Sequence, residues 1–558
     1  AAQWERKIPI KHAEILCHEV EDLSRFSSWI PVTYIKSLYG KDVHPENSKH
    51  LSLASLRYLE FFLVFNTMIT IMNNIGFETA DYSQLLGHDN LEKLNKGRCV
   101  KIDVPMYGKV YLTTMYCFLD KERVVMDREF LLLMKDISNA RFQSLACLDL
   151  NYDVSYRRVS PHLAALYKLG DKILCQCGNN GYDAIKVLEG WCNNWMSNKS
   201  MDVKPLLPKF EQFGEHMKST IAQLVTDFGS SVSDFFQYLD NDWTLEDILT
   251  FYGSYRHWGH PFINYKKGLA GLKFRCKDKE RDVKPYYPNL MASDLAKKVL
   301  YKIHKTKKKW AVDIKKLKKD HPFYKCVSEN HWPNDDAQAK LGDNWHRLPL
   351  IKCFDVPDVL DPSLIYSDKS HSITRQEFVD HIQSNPGKPI PSLKVLDTFL
   401  RRPATDWPEF LNTINLQGVP DDDKIIGLKA KERELKVEGR YFALLSWKLR
   451  EYFVMTEYLI KEHYVPLFDG LTMADNYEEV MRKMMSSSSN QGSTSYTSLS
   501  IANHIDYSKW CNSQSKESTK EVFRVMDKFL GFDNVIARTH DFFESSWFYY
   551  KDGGQDIS

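Results

Sequence analysis

The stretch GLKAKERELKVEGRYFALLSWKLREYFVMTEYLI, residues 427–460, decides how the rest of the chain is read. It opens with alternating charge at Lys429, Lys431, Glu432, Arg433, Glu434 and Lys436. Phe442, Leu445, Leu449, Phe453 and Leu459 then recur at three-to-four spacing, which predicts a helix with one apolar face. Arg440, Lys448 and Arg450 would leave from that rigid, partly buried element. Cations fixed in this way suit a polyanion or the triphosphate of a nucleotide. An alternating Lys/Glu run is also what a solvated helix face looks like, and on these residues alone both readings stand.

A second stretch, SIANHIDYSKWCNSQ at 500–514, reads as a strand from Leu499 to Ile505 that delivers Asp506 at its end. A strand-end carboxylate is well placed to hold a metal ion, because the strand fixes it and the following loop leaves it open. It is equally well placed to cap a helix.

Together the two stretches resemble the large polymerase protein of non-segmented negative-strand RNA viruses, rhabdoviruses in particular. KERELK followed by GR-F, Lys431 to Phe442, is similar to motif F of that family. SWKLREYFVMTEYLIKEHYVPLF and GLTMADN, within 446–476, resemble the fingers segment that follows it, and HIDYSKW, 504–510, resembles motif A. VVMDREFLLLMKDI (124–137), YRHWGHPF (255–262) and LPLIKCFDVPDVLDPSLIYSDKSHS (348–372) extend the resemblance, in the same order, over most of the chain.

The resemblance implies an RNA-directed RNA polymerase that joins nucleoside triphosphates to an RNA 3′-hydroxyl with the help of Mg²⁺, or Mn²⁺ in its place. Asp506 is the implied catalytic and metal-binding carboxylate. Lys431, Arg433, Lys436, Arg440 and Lys509 are the implied nucleotide- or RNA-binding cations, with Glu432 and Glu434 holding cations in place. An RNA template in a nucleocapsid and a phosphoprotein-like cofactor are the implied partners, without membrane insertion. Virion and host cytoplasm are the implied locations, with the nucleus for some relatives. The expected fold class is α+β: a mixed N-terminal region over 1–340, helical fingers over 341–498, and the start of a right-hand palm over 499–558.

A departure at Ser515 and the end of the sequence before any motif C favour a second reading, a non-catalytic relic or co-opted copy that binds RNA or polymerase partners, while the intact motif F favours the polymerase. Ser515 stands where the family pattern has Arg, which removes five donors in a fixed fork. Cys511 stands where rhabdoviruses tend to carry Asn. Gly342-Asp343-Asn344 spells the GDN of motif C, but it precedes motif A and is flanked by Trp345 and His346, so it reads as an ordinary turn. Without a motif C carboxylate these residues alone are expected not to polymerise RNA.

Composition agrees with a large globular protein: 558 residues, 43% hydrophobic and 13% aromatic, a length that allows two to four domains. The net charge of +2 means that any RNA affinity must come from local patches. The richest patch is Tyr301–Asp320, which reads as an amphipathic helix striped by Trp310, Ile314 and Leu317, with a solvated or RNA-facing lysine surface. Eleven cysteines without a repeating spacing suggest reduced thiols, and Cys175, Cys177 and Cys192 lack a suitably spaced fourth zinc ligand. The N-terminal AAQWERKIPIKH has no apolar core, so no signal peptide is expected, and the first residue is not Met, as in an internal piece of a longer chain. Tyr58–Met72, interrupted by Glu60 and Asn66, reads as a buried helix too short to span a bilayer. Residues 98–119 read as a β-hairpin around Tyr107-Gly108-Lys109, and 121–170 and 209–255 as mostly helical. Asp421-Asp422-Asp423 reads as a turn and helix entry, and SSSSNQGSTSYT at 486–497 as a flexible polar loop.

Overall fold

The computed structural model describes residues 50–75, 91–94, 98–104, 108–120, 124–203, 212–261, 263–279, 281–366, 370–487, 505–507, 510 and 514–551. The architecture is α+β, mostly helical with small sheets. Its contacts divide the chain into two compact units, one of residues 1–264 with 432–438 and one of residues 265–431 with 439–558.

In the first unit, α1 (Leu53–Asn74) lies along α2 (Arg128–Asp149). Leu59, Phe61, Phe65, Ile71 and Met72 of α1 are all buried, because apolar residues surround most of this helix. The helix is longer than the Tyr58–Met72 expected, so it is not too short to span a bilayer: by length and composition α1 could cross a membrane, yet 61% of its most apolar window is buried within the protein. Its buried Glu60 is pushed up to about 8 by desolvation. The hairpin expected at 98–119 is present as β2 (Cys99–Val104) and β3 (Gly108–Leu112). It belongs to a five-stranded antiparallel meander with β1 (Leu91–Leu94), β4 (Tyr116–Leu119) and β5 (Val124–Asp127). Val100, Ile102, Val110, Leu112, Cys117 and Leu119 alternate onto its buried face. Asp127 ends β5 and caps α2, accepting from the Phe130 N–H at 2.7 Å.

The longer helices that follow in this unit are α3 (Ser160–Cys177), α4 (Val187–Val203), α5 (Gln212–Phe228), α6 (Ser230–Leu239) and α7 (Leu245–Gly253). One ion pair is buried within the apolar core of this unit. Arg141 of α2 grips Asp171 of α3 through two bonds of 2.7 Å, both side chains fully buried. Its Nε also donates to the His257 carbonyl at 2.8 Å. Next to it, Trp258 is completely buried and donates from Nε1 to the Tyr167 carbonyl at 3.1 Å. Trp258 fits only because residue 170 is glycine: a Cβ there would stand 2.3 Å from the indole nitrogen. Within YRHWGHPF, Trp258 is thus a core residue.

In the second unit, α8 (Tyr265–Lys273) runs into a π-helical turn at Phe274–Asp278, and α9 (Tyr286–Lys307) follows. The helix expected over Tyr301–Asp320 stops at Lys307, where Lys308 adopts φ 51°. Trp310 is not on that helix; it stacks on Trp332 at 5.2 Å and 8°, and ring packing outweighs a helical stripe that holds few apolar residues. Gly342 ends the helix Asp335–Leu341 with φ 55°, so the GDN tripeptide is a turn, as read. A two-stranded ladder, β6 (Ser370–His371) and β7 (Leu393–Lys394), is preceded in the core by Trp345 and Leu348. Between its strands lies α10 (Arg375–Ser384), capped by Thr374, whose Gln376 N–H donates to Asp422 at 2.8 Å; Asp421–Asp423 form the expected turn, but it leads into a strand at Ile425 rather than into a helix. The unit is completed by α11 (Trp407–Gln417), a three-stranded sheet, α12 (Trp447–His463), α13 (Tyr477–Ser487) and α14 (Lys516–Leu530).

His257 carries a pH prediction for the first unit. Burial, and then the Arg141 charge, lower its basicity from 6.5 to about 4, and its Nδ1 is hydrogen-bonded to Tyr167 Oη at 2.7 Å. Between those two values the unfolded chain binds a proton that the folded chain refuses, so stability rises with pH across this window. Acidification from about 6.5 to about 4 is expected to cost about 3 kcal/mol through this group. Denaturant titrations at pH 7 and pH 4.5 check it: His257→Gln should shrink the difference between the two, and an equal difference in both proteins would refute the assignment.

Candidate nucleotide-binding hairpin

The sheet of the second unit is built on β8 (Ile425–Ala430), flanked by antiparallel β9 (Tyr441–Leu445) and parallel β10 (Trp547–Tyr550). Two β-branched residues start β8, and every residue of that strand except Lys429 is buried. Residues 441–445 are therefore a strand, not the first turn of the helix expected from the spacing of Phe442 and Leu445. Phe442 is 52% exposed, and β9 is held by its register to β8 rather than by an apolar helix face. The helix begins only at Trp447, after Ser446. Leu449 and Leu459 lie in its buried face, and so does Arg450, whose Nε donates to the Ile365 carbonyl at 2.9 Å. Arg450 is a core residue.

The charged run becomes the connection between β8 and β9. Its mouth is closed by the Lys431 N–H donating to the Arg440 carbonyl at 2.8 Å. The structure thereby brings Lys431 and Arg440 together at the two strand ends. The Lys431 Nζ lies 4.6 Å from the Phe442 ring centroid, which fixes the ammonium over an aromatic face. Arg440 is exposed.

Residues 432–438 belong to the first unit. There Leu435 packs against the unit's apolar core, and the Asn264 N–H donates to the Val437 carbonyl at 2.7 Å. Arg433 takes a left-handed φ of 60° and pairs with Asp136 at 3.4 Å. Asp136 lies within VVMDREFLLLMKDI. Both partners are largely exposed, so this pair contributes little to stability. Lys436 is exposed between the half-buried Leu435 and Val437.

Ile505, Asp506 and Tyr507 are irregular and exposed, with the Tyr507 and Trp510 rings 5.2 Å apart. The rest of the strand expected over 499–505 and Lys509 lie outside the described residues, as does most of the 486–497 loop. Among the described residues no group of three or more His, Cys, Asp or Glu side chains is placed to hold a metal ion. An exposed carboxylate suits Mg²⁺, which is commonly held by one or two protein carboxylates together with substrate phosphates. Ser515 is the N-cap residue of α14, and its N–H donates to Ser518 Oγ at 3.3 Å.

Residues 10–558 match the family model of the Mononegavirales RNA dependent RNA polymerase. The chain belongs to this family. It is 44% identical over 542 residues to the RNA-directed RNA polymerase L of Vesicular stomatitis New Jersey virus (strain Ogden subtype Concan), which covers 96% of this chain and 25% of the viral protein. It is 43% identical over 543 residues to that of Spring viremia of carp virus, with the same two coverages. It is 46% identical over 492 residues to that of Isfahan virus, covering 88% of this chain and 23% of the viral protein. The chain spans about a quarter of the length of the curated relatives it matches.

Within this polymerase region, sequence reasoning missed Tyr265 and Gly268 of α8. The Tyr265 hydroxyl donates to the Lys431 carbonyl at 3.3 Å, and Gly268 is packed against Gly439. The tyrosine and the glycine carry no charge pattern, and only the fold sets them beside the hairpin. The first-unit part of the loop depends on Leu435, the one apolar side chain in KERELK. Leu435→Ser is expected to speed tryptic cleavage after Arg433 and Lys436 by about five-fold or more, with the thermal midpoint nearly unchanged. Cleavage at the wild-type rate would mean that Leu435 does not hold the loop.

Proposed function

We propose that this chain supplies the triphosphate-binding hairpin and one metal-binding carboxylate of an RNA-directed RNA polymerase that copies a negative-strand RNA genome. The observation that carries the reading is the backbone pairing of Lys431 with Arg440, which fixes two cations at the ends of two strands. Phosphoryl transfer asks mainly for positioning and for charge stabilisation at the phosphates, and preformed cations do both. Lys431 and Arg440 meet the incoming triphosphate, and Lys436 and Arg433 act with it or with RNA. Lys509 follows Asp506 by three residues and meets the same phosphates. Asp506 would supply an oxygen ligand to Mg²⁺, and the ion would contribute charge neutralisation at the phosphates.

The RNA-facing role extends to the lysines of Tyr301–Asp320, eight of which are exposed. A chain of net charge +2 binds RNA only through such patches. A nucleocapsid-bound template and a phosphoprotein-like cofactor are the partners of this reading, with virion and host cytoplasm as its setting.

Two experiments test it. RNA binding by this chain should be independent of sequence and weaken steeply with salt, and Lys436→Ala or Arg440→Ala should each flatten the log–log slope by about one unit. An unchanged slope would remove the cations from the RNA path. In a full-length polymerase carrying this region, Asp506→Ala should reduce nucleotide incorporation by roughly a thousandfold or more, with template binding retained. Incorporation that survives the change would exclude Asp506 from the metal site.

A further inference from the structure

Two residues of α8, Tyr265 and Gly268, reach both ends of the hairpin in the second unit. The Tyr265 hydroxyl donates to the carbonyl of Lys431 at the end of β8. The Tyr441 hydroxyl, at the start of β9, donates in return to the Tyr265 carbonyl, with the two rings 6.2 Å apart. One turn further on, Gly268 is buried against Gly439: a Cβ at position 268 would stand 2.1 Å from the Gly439 carbonyl oxygen and 2.8 Å from its carbon. The opposing atoms are backbone, so no side chain can swing aside to make room. At the same helical spacing, Leu269 and Leu272 anchor α8 against the second unit's core.

We propose that α8 is the positioning element for Lys431 and Arg440, and that Gly268 and Tyr265 are its positioning residues. Resting on the triphosphate reading above, this adds what holds the two cations where they act. The contacts fall on Lys431, Gly439 and Tyr441, so the backbone on either side of Arg440 is clamped and that of Lys431 is held directly. Neither positioning residue carries a charge that a phosphate would meet. Their contribution is to fix the cations before the nucleotide arrives, so that binding does not have to order them.

The test is a mutant cycle on kcat/KM for the nucleoside triphosphate in a full-length polymerase carrying this region, with hydrogen exchange measured in parallel on this chain. Gly268→Ala is expected to lower kcat/KM roughly ten-fold and Tyr265→Phe roughly three-fold, because small displacements of a binding group have large effects. Tyr265→Phe removes a single hydroxyl and guards against the chance that the glycine variant fails to fold. Both should speed amide exchange over 431–441. Positioning predicts non-additivity: combined with Lys431→Ala and Arg440→Ala, either change should cost less than about two-fold more. The same loss with and without the two cations would mark a general structural defect and overturn the proposal, and so would wild-type kcat/KM in both α8 variants. If Lys431→Ala and Arg440→Ala themselves leave kcat/KM unchanged while exchange still quickens, the triphosphate reading is what fails, and the proposal falls with it.

Discussion

The bond from the Lys431 N–H to the Arg440 carbonyl, 2.8 Å long, turns a run of alternating charge into a device. Without it, KERELKVEGR has the composition of a solvated helix face, and its cations would be spread around an axis. With it, β8 and β9 stay in register to their ends, and a lysine and an arginine leave the sheet side by side. The strands can pair there because β8 is buried between two neighbours and contributes almost no exposed side chain. The β10 strand matters for the same reason: pairing in parallel from Trp547↔Ile425 to Tyr550↔Leu428, it protects the edge of β8 that β9 leaves open.

Charge is handled locally throughout the chain. With a net charge of +2, the basic groups have to be segregated by structure rather than by composition. Arg141 is spent in the core on Asp171, and Arg450 on a backbone carbonyl. Such buried cations are costly unless fully paired, and the bidentate geometry at Asp171 meets that condition. Lys436, Arg440 and most lysines between 301 and 320 are instead exposed at the surface.

Much of this was legible in the sequence, and what was not has physical causes. The hairpin in 98–119, the buried helix around Tyr58–Met72 and the Gly342 turn all follow from short-range pattern, and short-range pattern is what they obey. Family membership was legible from motif order along the whole chain. Phe442 and Leu445 misled because a spacing of three fits a helix, while the choice of strand was made by β8, a dozen or more residues earlier. Helical spacing also overran Lys307, since the lysines beyond it hold no apolar face and Trp310 has a better partner in Trp332. Of the candidate site, the identity of Lys431, Arg433, Lys436 and Arg440 could be read directly. Their division between two compact units, the pairing of Arg433 with Asp136, and the clamp from Tyr265 and Gly268 could not. Those depend on contacts across more than a hundred and fifty positions of chain, which no local window contains.

The central claim is that Lys431 and Arg440 are fixed cations for the triphosphate of an incoming nucleotide. The most direct measurement is the structure of a full-length polymerase carrying this region, bound to primed template RNA and a non-hydrolysable nucleoside triphosphate. The account predicts side-chain nitrogens of both residues within about 3–4 Å of phosphate oxygens, with the β8–β9 register unchanged. A triphosphate bound with both cations farther away than a Debye length, about 8 Å, would contradict it.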